Sequence, residues 1–197
     1  MKLVTKNKFN KIAPIAFLSC FVMNQPAVAN EQGNVNNLVK SCTTCHGQKG
    51  VSTNTNYPNL AGQKQGYLNK EITAFREGKR DNPQMTPYVK TLSDDDITVL
   101  AHYFSQQKNG TKASKTYNKK GENVRARCIS CHGMTGITVT ELWPNLAGQQ
   151  AMYLQKQLHT FKSGERKSPI MQVIAQELTD KQIEAVAEYY SQQAASK

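Results

Sequence analysis

The sequence predicts an all-α protein that consists of two similar helical domains in tandem. Residues 42–107 recur without a gap as residues 128–193, at a constant offset of 86 residues (128 minus 42). Apolar side chains in both copies follow the spacing of amphipathic helices, and no run alternates as a half-buried β-strand would. Each copy is too short to bury a large apolar core, so we expect a bound group to complete it.

The first 29 residues have the form of an export signal. Lysines near the start precede a mostly apolar run from Ile12 to Met23, and Ala27-Val28-Ala29 has the small residues of a signal-peptidase site. We therefore expect a signal peptide over residues 1–29, with cleavage after Ala29. One alternative is an uncleaved membrane anchor, but the apolar run is shorter than the ~20 residues of a typical transmembrane helix. Another is lipidation of Cys20, but Phe17-Leu18-Ser19 before it fits a lipoprotein signal poorly.

The chain without this leader is basic. Removing the four leader lysines leaves 21 basic and 14 acidic residues, a formal balance of +7. This excess favours an acidic protein partner or an anionic membrane surface, and so includes peripheral membrane association. Nucleic acid is not an expected partner, because the chain carries an export signal and shows no basic-aromatic pattern. Residues 30–110 contribute +2 and residues 111–197 contribute +5, so the second half is the better dock for an acidic partner.

The cysteines that remain after the leader lie in two copies of a Cys-x-x-Cys-His motif. The members are Cys42, Cys45 and His46 in the first copy and Cys128, Cys131 and His132 in the second. This motif is the attachment signature of a c-type haem, whose vinyl groups form thioether bonds with the thiols while the histidine ligates the iron. We therefore expect two covalently bound haem c groups. Zinc or a redox disulfide is the alternative, but the cysteine pairs lie too far apart in sequence for a typical zinc finger.

Local patterns place helices around each motif. In the first copy they predict a helix from Asn36 into the motif, a helix over 63–77 that stops at the following glycine, and a capped helix that starts at Ser93. In the second copy residues 118–127 lead into the motif, and Thr179 begins a capping box. The two copies therefore share one helical plan.

A polar segment separates the two copies. Residues 108–115 carry three lysines and no acidic residue, and they lack hydrophobic periodicity. We interpret this segment as a solvated linker rather than a binding patch. The predicted domains are therefore an N-terminal domain over residues 30–110 and a C-terminal domain over residues 111–197.

A haem iron of this kind needs a second axial ligand, for which methionine sulfur and imidazole are the usual choices. Met85 and Met171 occupy the same position in the repeat: each follows its motif histidine by 39 residues and stands two residues after a proline. A lone methionine is more often part of a core, but two equivalent ones favour ligation. The remaining methionines and histidines of the two copies have no equivalent in the other copy and are not expected to ligate iron; they are Met134, Met152, His102 and His159.

Each copy resembles a class I cytochrome c, with a motif-bearing first helix, a proline loop, a middle helix, a methionine loop and a last helix. The tandem pair, with Pro-Asn-Leu-Ala-Gly-Gln at 58–63 and again at 144–149, resembles the di-haem cytochrome c4 family over essentially the whole mature chain. The resemblance implies a periplasmic electron carrier with two His/Met haems that is not an enzyme and has no small-molecule substrate. It also implies that the carbonyl groups of Pro58 and Pro144 accept hydrogen bonds from the axial histidines.

The same resemblance implies redox protein partners, namely a quinol-oxidising complex as donor and a terminal oxidase as acceptor. One alternative is the electron-accepting di-haem subunit of a redox enzyme, such as a sulfide-oxidising flavocytochrome. Another is an enzyme in its own right, such as a thiosulfate-oxidising di-haem cytochrome. An enzyme of that kind would carry an unusual ligand at one haem, whereas both copies here offer methionine.

Overall fold

The computed structural model describes residues 29–195, with side chains from Val35 onward. Within this range the protein is all-helical and contains no β-strand, which confirms the predicted fold class, and no helix there is long and apolar enough to cross a membrane. The predicted signal peptide lies outside the described residues except for Ala29. Two short 3-10 helices, Gln48–Gly50 and Arg125–Arg127, accompany the α-helices α1 (Ala29–His46), α2 (Gln65–Arg76), α3 (Thr86–Val89), α4 (Asp94–Ser105), α5 (Lys119–Val124), α6 (Ile129–His132), α7 (Ala151–Ser163), α8 (Pro169–Gln176) and α9 (Asp180–Ser191).

Helices α1 to α4 form the first copy around one apolar core. Both α1 and α2 pack against α4, and α3 packs against α2. The apolar residues of these helices stand three to four positions apart, which places them on one face of each helix. The buried members of the core are Val39, Leu68, Leu100, Ala101 and Phe104.

Helices α5 to α9 form the second copy around an equivalent core. Both α5 and α7 pack against α9, and α7 also packs against α8. The first and last helices cross closely at Gly121, where a Cβ atom would lie 2.0 Å from the carbonyl oxygen of Ala185. Glycine is therefore required there for the backbones to approach. The buried members of this core are Val124, Leu154, Leu178, Ile183, Val186, Ala187, Tyr189 and Tyr190.

The segment that leads into the second motif differs from the prediction. In the first copy α1 runs unbroken through the motif, but in the second copy α5, a 3-10 turn and α6 replace the single helix. The backbone N–H of Cys128 donates to the carbonyl oxygen of Arg125 at 2.7 Å, an i to i−3 bond that tightens the backbone at this point. The predicted helix over 118–127 is therefore interrupted at residue 125.

Helix ends agree with the local sequence signals. Helix α4 begins with the predicted cap at Ser93, which is a full capping box, and α9 begins with the predicted capping box at Thr179. The side chains of Ser93 and Thr179 accept from the backbone N–H groups of Asp96 and Gln182. Helix α2 ends two residues before Gly78, whose φ of 70° lies in the left-handed region that favours glycine. These start and stop signals are confirmed.

The segment between the copies is only partly a solvated linker. Residues 108–114 lack regular secondary structure, and the lysines within them are exposed as predicted. Asn109 is buried, however, and the carbonyl oxygen of Thr111 accepts from the backbone N–H of Ala195 at 3.0 Å. The segment therefore packs against the end of the second copy, which its polar composition did not indicate.

The two Pro-Asn-Leu-Ala-Gly-Gln segments contact each other across the boundary between the copies. The side chain of Gln149 accepts from the backbone N–H of Asn59 at 2.7 Å and donates to the carbonyl oxygen of Asn59 at 2.9 Å. Gln63 makes the same pair of bonds with Asn145, at 2.7 and 3.0 Å. Because the two glutamines make equivalent pairs of bonds in opposite directions across the boundary, these contacts relate the copies by an approximate twofold axis.

Candidate haem-binding sites

Each motif ends at the C-terminus of a helix, which brings its reactive side chains to one face. In α1, Cys42, Cys45 and His46 stand three and four positions apart along the helix, so they share one side of it. Both thiols are free and half-buried, whereas the imidazole is 6 % exposed. The second copy shows the same arrangement: the thiols of Cys128 and Cys131 are free and half-buried, and the imidazole of His132 is 6 % exposed.

A proline carbonyl group holds each motif histidine. Nδ1 of His46 lies 2.9 Å from the carbonyl oxygen of Pro58, and Nδ1 of His132 lies 2.9 Å from that of Pro144. Burial lowers the pKa of both imidazoles, and the carbonyl contact opposes this shift only in part. A neutral imidazole that donates from Nδ1 keeps a free lone pair on Nε2. That nitrogen is therefore available to a metal.

Two cavities, one in each copy, are lined by the residues that the sequence predicts to bind haem. The cavity of the first copy, about 190 Å³, is lined among others by Cys42, Cys45, His46, Pro58 and Met85. The cavity of the second copy, about 920 Å³, is lined among others by Cys128, Cys131, His132, Pro144 and Met171. Leucine and phenylalanine side chains of the helices form much of the remaining wall of both cavities. The second cavity is wider, but the donor groups are the same.

Each of the two methionines stands at the end of a turn that contains a proline. The backbone N–H of Met85 donates to the carbonyl oxygen of Asn82 at 2.9 Å, which closes a turn with a proline at its second position. The backbone N–H of Met171 lies 3.4 Å from the hydroxyl oxygen of Ser168, which caps α8 ahead of a proline at its first position. The fixed φ of proline therefore sets the path of the chain just before each methionine.

The methionines and histidines that have no equivalent in the other copy lie at the surface. Met134 and Met152 are 65 % and 50 % exposed. His102 and His159 are also exposed, and none of the four lines either cavity. The cavities therefore contain the methionines and histidines that recur in both copies and exclude those that do not.

A cluster of charged and polar side chains lies between the two cavities, and the sequence did not reveal it. Arg80 donates to the carboxylate of Glu71 at 2.6 Å, and Arg166 donates to the same carboxylate at 2.9 Å. Both guanidinium groups also donate to the side-chain oxygen of Gln157 at 2.6 Å. We call the set the interdomain cluster; its members are Tyr67, Glu71, Arg80, Tyr153, Gln157 and Arg166.

The interdomain cluster breaks the repeat at one position. Its arginines are repeat partners and so are its tyrosines, but Glu71 is matched by Gln157. The cluster thus combines two positive charges with one negative charge. Burial raises the pKa of Tyr67 to about 12, although the positive charge of Arg166 opposes this shift. At Tyr153 the charges of the two guanidinium groups outweigh the effect of burial and lower the pKa. The sequence alone does not single out this position, because other repeat positions, such as Lys64 and Gln150 or Glu77 and Ser163, also carry a charge in only one copy.

The donor groups suit haem c rather than a bare metal ion. Each cavity is lined by the two free thiols of one motif, one neutral imidazole and one methionine side chain within a largely apolar wall. Among the side chains that the structure describes, from Val35 to residue 195, no group of three or more His, Cys, Asp or Glu lies together as a metal site would need. The motif cysteines do not pair as disulfides. The zinc and disulfide alternatives therefore find no support.

Known proteins show the same combination of fold and motifs. The profile of the Cytochrome c family matches residues 34–108 and 118–193. A thiosulfate dehydrogenase electron acceptor of Stutzerimonas stutzeri is 32 % identical over 201 residues, 90 % of this chain and 93 % of that protein. Cytochrome c4 of Pseudomonas aeruginosa is 36 % identical over 163 residues, 75 % of this chain and 81 % of that protein. The crystal structure of reduced recombinant cytochrome c4 from Pseudomonas stutzeri superposes with a TM-score of 0.76 at 32 % identity, covering 83 % of this chain and 98 % of that one.

The fold and its paired cavities define a c-type cytochrome with two domains in tandem. The matches extend over both copies and include structures of the same two-domain arrangement. The chain belongs to the di-haem cytochrome c4 family. It binds two covalently attached haem c groups, one in each copy, and it exchanges electrons with redox protein partners.

Proposed function

We propose that the chain is a periplasmic electron carrier that relays electrons from a quinol-oxidising complex to a terminal oxidase. In this proposal His46 and Met85 ligate the iron of the first haem, and His132 and Met171 ligate that of the second. The equivalence of the cavities carries the proposal, because each brings one imidazole and one thioether to the same space. With both axial positions taken by the protein, neither iron keeps a position for oxygen, peroxide or an organic substrate.

The chain's own side chains set the conditions for the relay. The bound haem supplies one-electron exchange between ferrous and ferric iron. The carbonyl groups of Pro58 and Pro144 hold the imidazole rings in one orientation and strengthen them as donors. The methionine sulfurs favour the ferrous state, and the apolar cavity walls exclude water. The predicted signal peptide, residues 1–29, would deliver the chain to the periplasm, and its domains would span residues 30–110 and 111–197.

A second candidate function is electron acceptance from an enzyme that oxidises an inorganic sulfur compound. The relative described as a thiosulfate dehydrogenase electron acceptor aligns with 90 % of this chain. This relative supports the coarser alternative of an electron acceptor for a redox enzyme, with thiosulfate dehydrogenase as the enzyme in place of a flavocytochrome. The two candidate functions differ in the donor that reduces the protein.

The donor can be identified by direct reduction of the purified, oxidised protein. We expect membranes of the source organism to reduce it when a quinol is added, and to reoxidise it in a cyanide-sensitive step. Both rates follow from the absorbance of the reduced haems. Heat-treated membranes are the control. Reduction by the soluble fraction plus thiosulfate, with no quinol-dependent rate, would replace the first function by the second.

The second cavity opens onto a surface that is suited to a partner. Leu142 and Ile170 line this cavity and are 64 % and 58 % exposed, and their repeat partners in the first copy are the polar residues Asn56 and Gln84. Residues 111–197 also carry the larger positive balance, +5 against +2 for residues 30–110. An apolar rim within a basic domain fits an acidic partner surface with an apolar centre. We therefore place the docking surface for the terminal oxidase on the C-terminal domain.

Exchanging rim residues for those of the other copy tests this docking surface. Leu142→Asn and Ile170→Gln together should slow reoxidation by oxidase-containing membranes about tenfold at low reduced-protein concentration, because the loss of both apolar contacts should weaken binding by about 1.4 kcal/mol. The matched control is Asn56→Ala with Gln84→Ala, which should leave the rate unchanged. Equal slowing by both pairs would contradict docking on the C-terminal domain.

A further inference from the structure

The peptide group between Pro58 and Asn59 is hydrogen-bonded at both ends. Its carbonyl oxygen lies 2.9 Å from Nδ1 of His46, and its N–H donates to Oε1 of Gln149 at 2.7 Å. The histidine belongs to the first copy and the glutamine to the second. A single peptide group therefore joins the axial histidine of one domain to a side chain of the other.

The approximate twofold axis generates the same arrangement in reverse. The carbonyl oxygen of Pro144 lies 2.9 Å from Nδ1 of His132, and the N–H of Asn145 donates to Oε1 of Gln63 at 2.7 Å. We call each histidine–peptide–glutamine chain a relay. The protein thus contains two relays, and they run across the domain boundary in opposite directions.

Each glutamine is held in place by more than the relay bond. The Nε2 group of Gln149 donates to the carbonyl oxygen of Asn59 at 2.9 Å, and its Oε1 also accepts from the backbone N–H of Gln150 at 2.9 Å. Gln149 and Asn59 are 6 % and 5 % exposed. The geometry is therefore fixed in a water-poor environment, where hydrogen bonds in a chain polarise one another.

We propose that Gln149 and Gln63 are positioning residues that tune the iron of the opposite domain through these relays. This inference rests on the proposed ligation of iron by His46 and His132. An acceptor on the peptide N–H increases the negative charge on the oxygen of the same peptide group. That oxygen then binds the imidazole Nδ1–H more strongly, and the imidazole becomes a stronger donor to iron. Each glutamine thereby stabilises ferric iron across the domain boundary and lowers the reduction potential there.

The relays predict an effect that crosses between domains. Gln149→Leu removes the acceptor from Asn59 and should raise the potential of the haem in the N-terminal domain, with a smaller or no shift of the other haem. Gln63→Leu should give the opposite pattern. Spectroelectrochemistry gives both potentials, and the haem methyl resonances in NMR spectra assign each potential to its domain. Gln149 and Gln63 both line the cavity of the first copy and not that of the second, so a role as cavity wall would not make Gln63→Leu act on the haem of the C-terminal domain.

Gln150→Leu is the matched control. Its Nε2 group donates across the boundary to the carbonyl oxygen of Ser52 at 2.9 Å and lies 3.5 Å from the side-chain oxygen of Asn59, but it bonds to neither the carbonyl oxygen of Pro58 nor the backbone N–H of Asn59. We expect it to leave both potentials unchanged. The relays would be overturned if Gln149→Leu shifted only the haem of its own domain, shifted both haems equally, or matched Gln150→Leu.

The wild-type protein provides a test that needs no variant. In the reduced, diamagnetic protein, scalar couplings across hydrogen bonds should join Nδ1 of His46 to the carbonyl carbon of Pro58, and the amide nitrogen of Asn59 to the side-chain carbonyl carbon of Gln149. Absence of either coupling would overturn the first relay. The near-infrared band of oxidised His/Met haem reports ligation separately. If that band is lost, the ligand assignment is wrong; if it is present while the potentials do not respond, the relays are wrong.

Discussion

Met171→Ala is expected to open the second haem to carbon monoxide and to lower the potential of that haem alone. In the proposed ligation the methionine sulfur favours ferrous iron, and axial ligands set haem potentials over a range of about 0.8 V, so its loss should lower the potential. We expect a fall on the order of 0.2 V. The thioether links to Cys128 and Cys131 are untouched, so the covalent haem should remain. Carbon monoxide titration of the reduced protein and spectroelectrochemistry measure the two effects.

The repeat supplies both the partner variant and the control. Met85→Ala should have the same two effects on the first haem only. Met134→Ala removes a sulfur that is 65 % exposed and lies outside both cavities, so it should change neither property. Stoichiometric binding of carbon monoxide at one haem of the reduced wild-type protein would contradict the ligand assignment. An enzymatic role for that haem would then become the better explanation.

Glu71→Ala is expected to destabilise the folded protein by about 3–5 kcal/mol, because it leaves two buried guanidinium groups without a counter-charge. The side chains of Glu71, Arg80 and Arg166 are only 13 %, 11 % and 11 % exposed. Water therefore screens these charges weakly, and removal of the carboxylate also leaves the arginines to repel each other. Equilibrium unfolding in guanidinium chloride, followed by circular dichroism at 222 nm, measures the loss in the free energy of unfolding.

An exposed ion pair is the control for the interdomain cluster. Glu177 lies 3.7 Å from Arg127, and their side chains are 62 % and 46 % exposed. Glu177→Ala should therefore change the free energy of unfolding by about 0–1 kcal/mol. If Glu71→Ala cost no more than Glu177→Ala, the cluster would not stabilise the contact between the copies.

The sequence was sufficient for features that depend on residues close together in the chain. The spacing of Cys42, Cys45 and His46 is a helical spacing, so the covalent attachment of haem followed from the motif alone. The cap at Ser93 and the stop at Gly78 are likewise local, and both predictions are confirmed. The interruption of the helix before Cys128 was missed, because a change from i−4 to i−3 bonding leaves no clear mark on composition.

The sequence by itself determined that the chain holds two helical domains, that each carries one covalent haem, and that Met85 and Met171 are the candidates for the open axial positions. Only the tertiary structure decided how the domains meet. The partners in the interdomain cluster and the relays are separated by up to 99 residues, as for Tyr67 and Arg166. No periodic pattern in the sequence predicts such a pairing, because it depends on how two domains with separate apolar cores are oriented relative to each other. The repeated Pro-Asn-Leu-Ala-Gly-Gln therefore marked the family in the sequence, and the structure showed that the same residues form the contact between the domains.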